Sequence, residues 1–207
     1  MRTFVISALA LSLSASLAYA AAGGGTTSSG ASGTASGGTT TSSGASGANA
    51  NNSPLKLNCK KGEVVKTVKK DGKDVKECVK VTGSLVPDDD LYHQGWVLAK
   101  AGQYDWAIEV LSSVKDQTNP DVLTMLGYSN RKAGRVDVGF NYYHQALAIN
   151  PDHVRAHEYL GEGLVALGKI EQAKAQLGEV KRICGNTTCE EYQDLSKAIL
   201  GGKEDAL

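Results

Sequence analysis

Three pairs of glycines recur along this chain at one internal spacing: Gly95 and Gly102, Gly127 and Gly134, and Gly161 and Gly168, with six residues between the members of each pair. The leading glycines are 32 and then 34 residues apart. Behind each second glycine the same apolar ladder follows: Tyr104, Ala107, Leu111, Val114; Val136, Gly139, Tyr143, Ala146; Ile170, Ala173, Leu177, Val180. Self-similarity at such a period belongs to stacked supersecondary units, none of which can hide its apolar face alone. Folds of this kind present a surface, which moves the expected function toward binding and away from catalysis.

Within each unit the apolar residues step by three and four, which lines them along one side of a helix. The second glycine of each pair falls between two such runs. A chain leaving a helix often needs a left-handed residue there, and glycine supplies it without a Cβ clash. The first glycine is mid-helix, where it costs about 1 kcal/mol relative to alanine. A cost repeated in three copies predicts a packing reason, namely a partner helix that crosses close to the missing side chain. Each unit is therefore expected to be a helical hairpin.

These positions resemble the tetratricopeptide repeat, whose unit of about 34 residues runs W-x2-L-G-x2-Y, then A-x3-F, then P. The middle copy reads Leu123-x2-Leu126-Gly127-x2-Asn130, Gly139-x3-Tyr143 and Pro151. The third reads His157-x2-Leu160-Gly161-x2-Leu164 and Ala173-x3-Leu177; the first reads Leu91-x2-Gln94-Gly95-x2-Leu98 and Ala107-x3-Leu111. Trp96 and Trp106 stand away from the family's tryptophan position. The resemblance, from about Asp88 to Cys184, implies a mainly α fold: a three-repeat solenoid of helical hairpins at 88–119, 120–153 and 154–184. It also implies that the first helix of each repeat lines a concave groove. That places Tyr92, Trp96 and Lys100, then Thr124, Tyr128 and Arg131, then Arg155, Glu158 and Glu162 on the binding face. Aromatic and arginine side chains carry much of the energy of protein interfaces, although Tyr92, Trp96 and Tyr128 fit packing between repeats equally well. The family's best-known groove clamps a C-terminal carboxylate with lysine and asparagine; threonine and tyrosine stand at those places here.

Upstream, Arg2, an apolar stretch from Phe4 to Leu17, and Ala18-Tyr19-Ala20 read as a secretory signal peptide over 1–20. The stretch is short for a membrane span, which needs about 20 residues, and no charged stop follows it. Residues 21–55 carry no charge and are dominated by glycine, serine, threonine, alanine and asparagine, with TTSSGASG occurring at both Thr26–Gly33 and Thr40–Gly47. Such a composition predicts a disordered tether.

Residues 56–82 hold nine lysines against Glu63, Asp71, Asp74 and Glu77, a net charge of +5. Asp71-Gly72 suits the positive φ angles of a two-residue hairpin turn. That register sets Val68 opposite Val75, Val64 opposite Val79, Lys69 opposite Asp74 and Lys66 opposite Glu77, so two apolar pairs share one face and two charge pairs come out with opposite signs. An isolated hairpin is marginal in water. The four cysteines fall in two local pairs, Cys59 with Cys78 and Cys184 with Cys189. In an exported chain these read as disulfides, the local pairing being the favoured one of three connectivities. Within 185–207 a last helix is signalled by Thr188, by Glu190 and Glu191 in its first turn, by Tyr192, Leu195, Ala198 and Ile199, and by Gly201. It reads as a cap on the open end of the stack.

Sharper chemistry finds little support. Cys184 and Cys189 are spaced C-x4-C where redox dithiols are C-x2-C, and His153 and His157 could share one helix face with a metal but lack an obvious third ligand. No nucleophile elbow, catalytic triad or phosphate-binding glycine loop is present, so neither an enzymatic activity nor a cofactor is expected. From Gly83 onward 18 acidic residues face 12 basic ones, a balance of −6. The basic hairpin is thus expected either to dock on its own repeats or to hold anionic wall or lipid polymers, while no nucleic-acid partner is expected. The sequence as a whole points to an exported, periplasmic or secreted adaptor of the cell envelope that binds a peptide or partner protein. The alternatives are an envelope thiol or metal factor built on Cys184, Cys189, His153 and His157, and a wall-associated structural spacer.

Overall fold

The computed structural model describes residues 53–82 and 85–201. The expected signal peptide and the tether as far as residue 52 lie outside the described residues, as does the tail from residue 202. The described chain begins inside the span that composition assigns to the tether: Ser53 and Pro54 are buried and start a turn that Cys59 closes by donating its amide to the Pro54 carbonyl at 3.0 Å. Two strands follow, β1 (Glu63–Lys70) and β2 (Lys73–Lys80), and then seven helices: α1 (Asp88–Lys100), α2 (Tyr104–Leu111), α3 (Pro120–Lys132), α4 (Val136–Ile149), α5 (Val154–Ala166), α6 (Ile170–Cys184) and α7 (Glu190–Gly201). None of these helices is long and apolar enough to cross a membrane.

The strands pair antiparallel in the expected register, with Val64 facing Val79 and Val68 facing Val75. Asp71 and Gly72 turn the chain at φ +50° and +74°. Lys69 pairs with Asp74 at 2.8 Å. Lys66 stands opposite Glu77 as expected, and the carboxylate of Glu77 forms its ion pair with Lys70, farther along the strand. Exposed long side chains choose among several partners of similar energy, so register alone did not decide it. Cys59 and Cys78 are joined.

The hairpin does not stand free. Val64 and Val65 point to opposite faces of β1, yet both are fully buried, in one core with Leu91, Leu98, Trp106 and Val110 of the first two helices. At the edge of β1 the Gln94 side chain behaves as a short third strand: its Oε1 accepts from the Val65 amide at 2.6 Å and its Nε2 donates to the Val65 carbonyl at 2.9 Å. Trp106 Nε1 donates to the Glu63 carbonyl at 3.0 Å. The hairpin therefore covers the first end of the helical stack, which supplies the support that two strands alone lack.

The glycine pairs do the work that their spacing implies. Gly102, Gly134 and Gly168 adopt φ of +76°, +85° and +70°. Each ends its helix identically, with the next residue donating back into the preceding turn: Gln103 to Leu98, Arg135 to Asn130, and Lys169 to Leu164, at 2.9, 2.9 and 2.8 Å. A Cβ on Gly95 would lie 2.6 Å from Leu111 Cγ, and one on Gly127 would lie 2.5 Å from the Tyr143 ring. Both partners come from the second helix of the same repeat. At Gly161 the nearest group belongs instead to Leu195 of α7, 2.6 Å from where the Cβ would be. Leu195 is fully buried, so α7 closes the far end of the stack by filling the third glycine notch. Cys184 and Cys189, joined across the α6–α7 turn, hold it there.

Candidate functional site

The first helices of the repeats run side by side: α1 touches α3, α3 touches α5, and α5 touches α7. α7 packs against both α5 and α6 and so extends the stack beyond the third repeat. Between α1, α5 and α7 lies a cavity of about 300 Å³ lined by Trp96, Lys100, Arg155, Glu158, Tyr159, Glu190 and Glu191.

All nine residues assigned to the groove by the repeat phase lie on α1, α3 and α5, but they divide by depth. Lys100 is exposed; Tyr92, Trp96, Arg155 and Glu162 are half-buried; Thr124, Tyr128, Arg131 and Glu158 are buried. Thr124 donates its hydroxyl to the Pro120 carbonyl within its own helix at 2.7 Å. Arg131 is a buried strut: its Nη2 donates to Glu162 at 2.8 Å and its Nε to the Tyr143 hydroxyl at 3.2 Å. Burial works against its charge, but Tyr143 and Glu162 outweigh that and raise its pKa above the ordinary arginine value. Its Nη1 is buried without a hydrogen-bond partner among the described residues.

An aromatic floor runs between the helices. Tyr128 sits 4.9 Å from Tyr159 and 6.4 Å from Tyr104, centroid to centroid. The Lys100 ammonium lies 5.2 Å above the Tyr128 ring and 5.9 Å above the Tyr159 ring, so a residue of α1 reaches across α3 to α5. Burial, together with the nearby Asp121 charge, pushes Tyr92 up to about 12, the guanidinium of Arg155 opposing the shift. Burial likewise raises Tyr128 and Tyr159.

Glu158 is the outlier of the site. It is 5 % exposed and has no hydrogen bond or ion pair with a described residue, whereas Glu162 is held by Arg131 and Glu191 by Arg155 at 3.6 Å. Burial first, and then the charges of Glu162 and Glu191, push its pKa up to about 8, with Arg155 pulling the other way. Near neutral pH it is mostly a neutral acid facing the cavity.

The histidine and cysteine candidates are committed to structure. His153 caps α5, its Nδ1 accepting from the Ala156 amide at 3.2 Å while its Nε2 meets Asp121 at 3.0 Å. His157 contacts Gln176 at 2.7 Å and the Pro151 carbonyl at 3.0 Å. All four ring nitrogens thus have partners within the chain, and the pair does not form a ligand face. The two clusters of metal-binding residue types among the described residues, Cys59–Glu63–Cys78 and Cys184–Cys189–Glu191, each contain a disulfide.

Residues 130–199 match the family model of the tetratricopeptide repeat. That stretch carries the tetratricopeptide repeat. The match covers α4 to most of α7 and the end of α3; the first repeat is recognised by its glycine geometry. Similar solved structures include the first tetratricopeptide domain of Spaghetti (RPAP3) bound to the HSP90 peptide SRMEEVD, at 25 % identity and TM-score 0.48, covering 55 % of this chain and 94 % of that one. Another is the type III secretion translocator chaperone SycD of Yersinia enterocolitica, at 19 % identity and TM-score 0.48, covering 55 % and 81 %. A third is the first tetratricopeptide domain of human RPAP3, at 23 % identity and TM-score 0.47, covering 56 % and 94 %. No curated protein matches this chain.

Sequence reasoning missed three residues that line the cavity: Tyr159, Glu190 and Glu191. Tyr159 adjoins Glu158, but its level in the repeat is occupied by His93 and Met125 in the other copies, so nothing in the pattern singles it out. The two glutamates read only as favourable first-turn acids of a cap. That the first turn of the cap helix meets α1 and α5 at one cavity became visible only in the structure.

Proposed function

We propose that this protein is a non-enzymatic adaptor of the cell envelope, exported by its N-terminal signal, that holds an extended segment of a partner protein in the concave groove of its repeats. The observation that carries the reading is the cavity of about 300 Å³ between α1, α5 and α7, with aromatic walls and charged side chains converging on it. Trp96 is the half-buried aromatic anchor on its wall and Lys100 the exposed cation at its rim.

The test is photocrosslinking in intact cells from a reactive residue placed at Lys100, followed by identification of the captured protein. The same partner should be lost when Trp96 is changed to alanine in a variant that keeps its helical signal and melting temperature. Undiminished capture by that variant would remove the groove from the reading. Arg131 is unsuited to this test, because its side chain is a buried strut.

A second role is favoured by the hairpin. Docking uses the backbone of β1 and its valines, which leaves Lys56, Lys60, Lys61, Lys73 and Lys80 exposed. These lysines form a surface suited to anionic wall or lipid polymers. Cosedimentation of the full chain with purified wall should fall with salt and with glutamine at these five positions. Retention that is indifferent to both would end this second reading.

A further inference from the structure

The cavity between α1, α5 and α7 has a defined charge requirement. Its lining holds three acids, Glu158, Glu190 and Glu191, and two bases, Lys100 and Arg155. Arg155 is engaged with Glu191 at 3.6 Å. The Lys100 ammonium is stationed over the rings of Tyr128 and Tyr159. What remains unanswered is Glu158, 5 % exposed and without a hydrogen-bonding or ion-pair partner among the described residues. Glu158 lines the cavity, and so do the aromatic side chains of Trp96 and Tyr159.

The geometry points to a guanidinium pocket: the groove takes an arginine side chain of the partner segment, which pairs with the Glu158 carboxylate and lies against Trp96 and Tyr159. This inference rests on the groove reading and gives its partner a chemistry. A planar cation suits aromatic walls and a carboxylate fork better than an ammonium does. With Glu158 ionised the lining sums to −1, so one guest cation makes it neutral.

The pairing has a proton cost. Glu158 is mostly protonated near neutral pH, held so by burial and by Glu162 and Glu191. The other charged groups facing it are Arg155 on α5, Lys100 on α1, Glu190 and Asp194 on α7, and the Arg131–Glu162 pair between α3 and α5. Binding a guanidinium must expel the proton, so affinity rises with pH until Glu158 ionises unaided.

The two tryptophans make the experiment local, since Trp96 lines the cavity and Trp106 is tied to the hairpin backbone. The probes are the peptide Gly-Ser-Arg-Phe-Ser-Gly, acetylated and amidated, and its counterparts with citrulline or glutamate in place of arginine. The oxidised protein is titrated with each, following the indole N–H resonances, and by calorimetry in two buffers of different ionisation enthalpy. We expect the arginine peptide to move the Trp96 resonance and leave that of Trp106 in place. It should bind about tenfold more tightly than the citrulline peptide and release a proton near pH 7. Glu158→Gln should bring the arginine peptide down to the citrulline level and abolish proton release, while the variant still melts cooperatively at or above the parent's temperature.

Equal affinity of the arginine and citrulline peptides at Trp96 would overturn the pocket while leaving the groove a peptide site. Preference for the glutamate peptide, or binding that moves only Trp106, would overturn it as well. Self-association of the chain lost in Glu158→Gln would assign the pocket to a second copy's basic hairpin and overturn the peptide assignment. If none of the three peptides moves Trp96, the pocket is refuted, and the groove then stands or falls on Trp96-dependent capture in cells.

Discussion

Gln94 in α1 brackets the peptide group of Val65 in β1, accepting from its amide at 2.6 Å and donating to its carbonyl at 2.9 Å. In the middle and third repeats the same level is occupied by Leu126 and Leu160, both apolar and buried. The first repeat thus carries a polar residue where its siblings carry leucine, because its outward neighbour is the edge of a strand and not another helix.

Replacing Gln94 by leucine restores the repeat pattern but strands two buried backbone groups. Each such group costs about 1–3 kcal/mol when left unpaired. We expect the variant to lose about 3 kcal/mol in denaturant unfolding, and its Val65 amide to exchange hydrogen far faster than in the parent. A stability within a few tenths of the parent would mean that the hairpin is not seated by this residue.

Gly127→Ala places a Cβ 2.5 Å from the Tyr143 ring and 3.0 Å from the Gly139 carbonyl. Tyr143 is fully buried and the carbonyl belongs to the backbone, so neither yields easily. The expected cost is about 3 kcal/mol of overpacking. Gly134→Ala meets no atom within 4 Å but sits at φ +85°, so only backbone strain of about 1 kcal/mol is expected. Comparing the two melting temperatures checks the assignment; the reverse order would refute it.

Glu158 titrates in the folded chain at about 8 against an ordinary 4.5. Between those values the folded protein keeps a proton that the unfolded chain has released, so stability is fully present below the lower one and declines as pH rises through the upper. The expected loss is on the order of 2–3 kcal/mol, after allowing for relaxation around the group. Glu158→Gln should flatten that part of the stability profile and leave the protein more stable than the parent above about pH 8. Parallel profiles for the two proteins would show that Glu158 is not the group responsible.

Arg131→Ala removes one partner from the buried pair with Glu162 and from the Tyr143 hydroxyl, with an expected loss of about 3–5 kcal/mol. Equilibrium unfolding reads this directly. A loss below about 1 kcal/mol would be the value for a solvent-exposed pair and would place Arg131 among the accessible groove residues.

The repeat phase and hairpin register were legible because each rests on a local rule. A left-handed residue must end each first helix, and Asp71-Gly72 fixes which strand positions face one another. Depth within the groove was not legible. Tyr92, Thr124 and Glu158 stand at corresponding places, three residues before the leading glycine of each repeat, yet Tyr92 is half-buried while Thr124 and Glu158 are buried, because α3 and α5 each have helices of the row on both flanks and α1 has one on a single flank. The ionisation of Glu158 and its lack of a partner depend on α7 and α5 meeting, which no spacing in the sequence encodes. The choice of Lys70 over Lys66 by Glu77 escaped for a different reason: it is a near-degenerate choice on a wet surface.

The notch at Gly161 has a consequence for growth of the array. In the first two units the notch is filled from within, by Leu111 and Tyr143; in the third it is plugged from outside, by Leu195. A further hairpin spliced in after Cys184 would have to evict that plug before it could dock. Duplication, the ordinary route by which such arrays lengthen, is therefore obstructed at this end, and the hairpin with Gln94 obstructs it at the other.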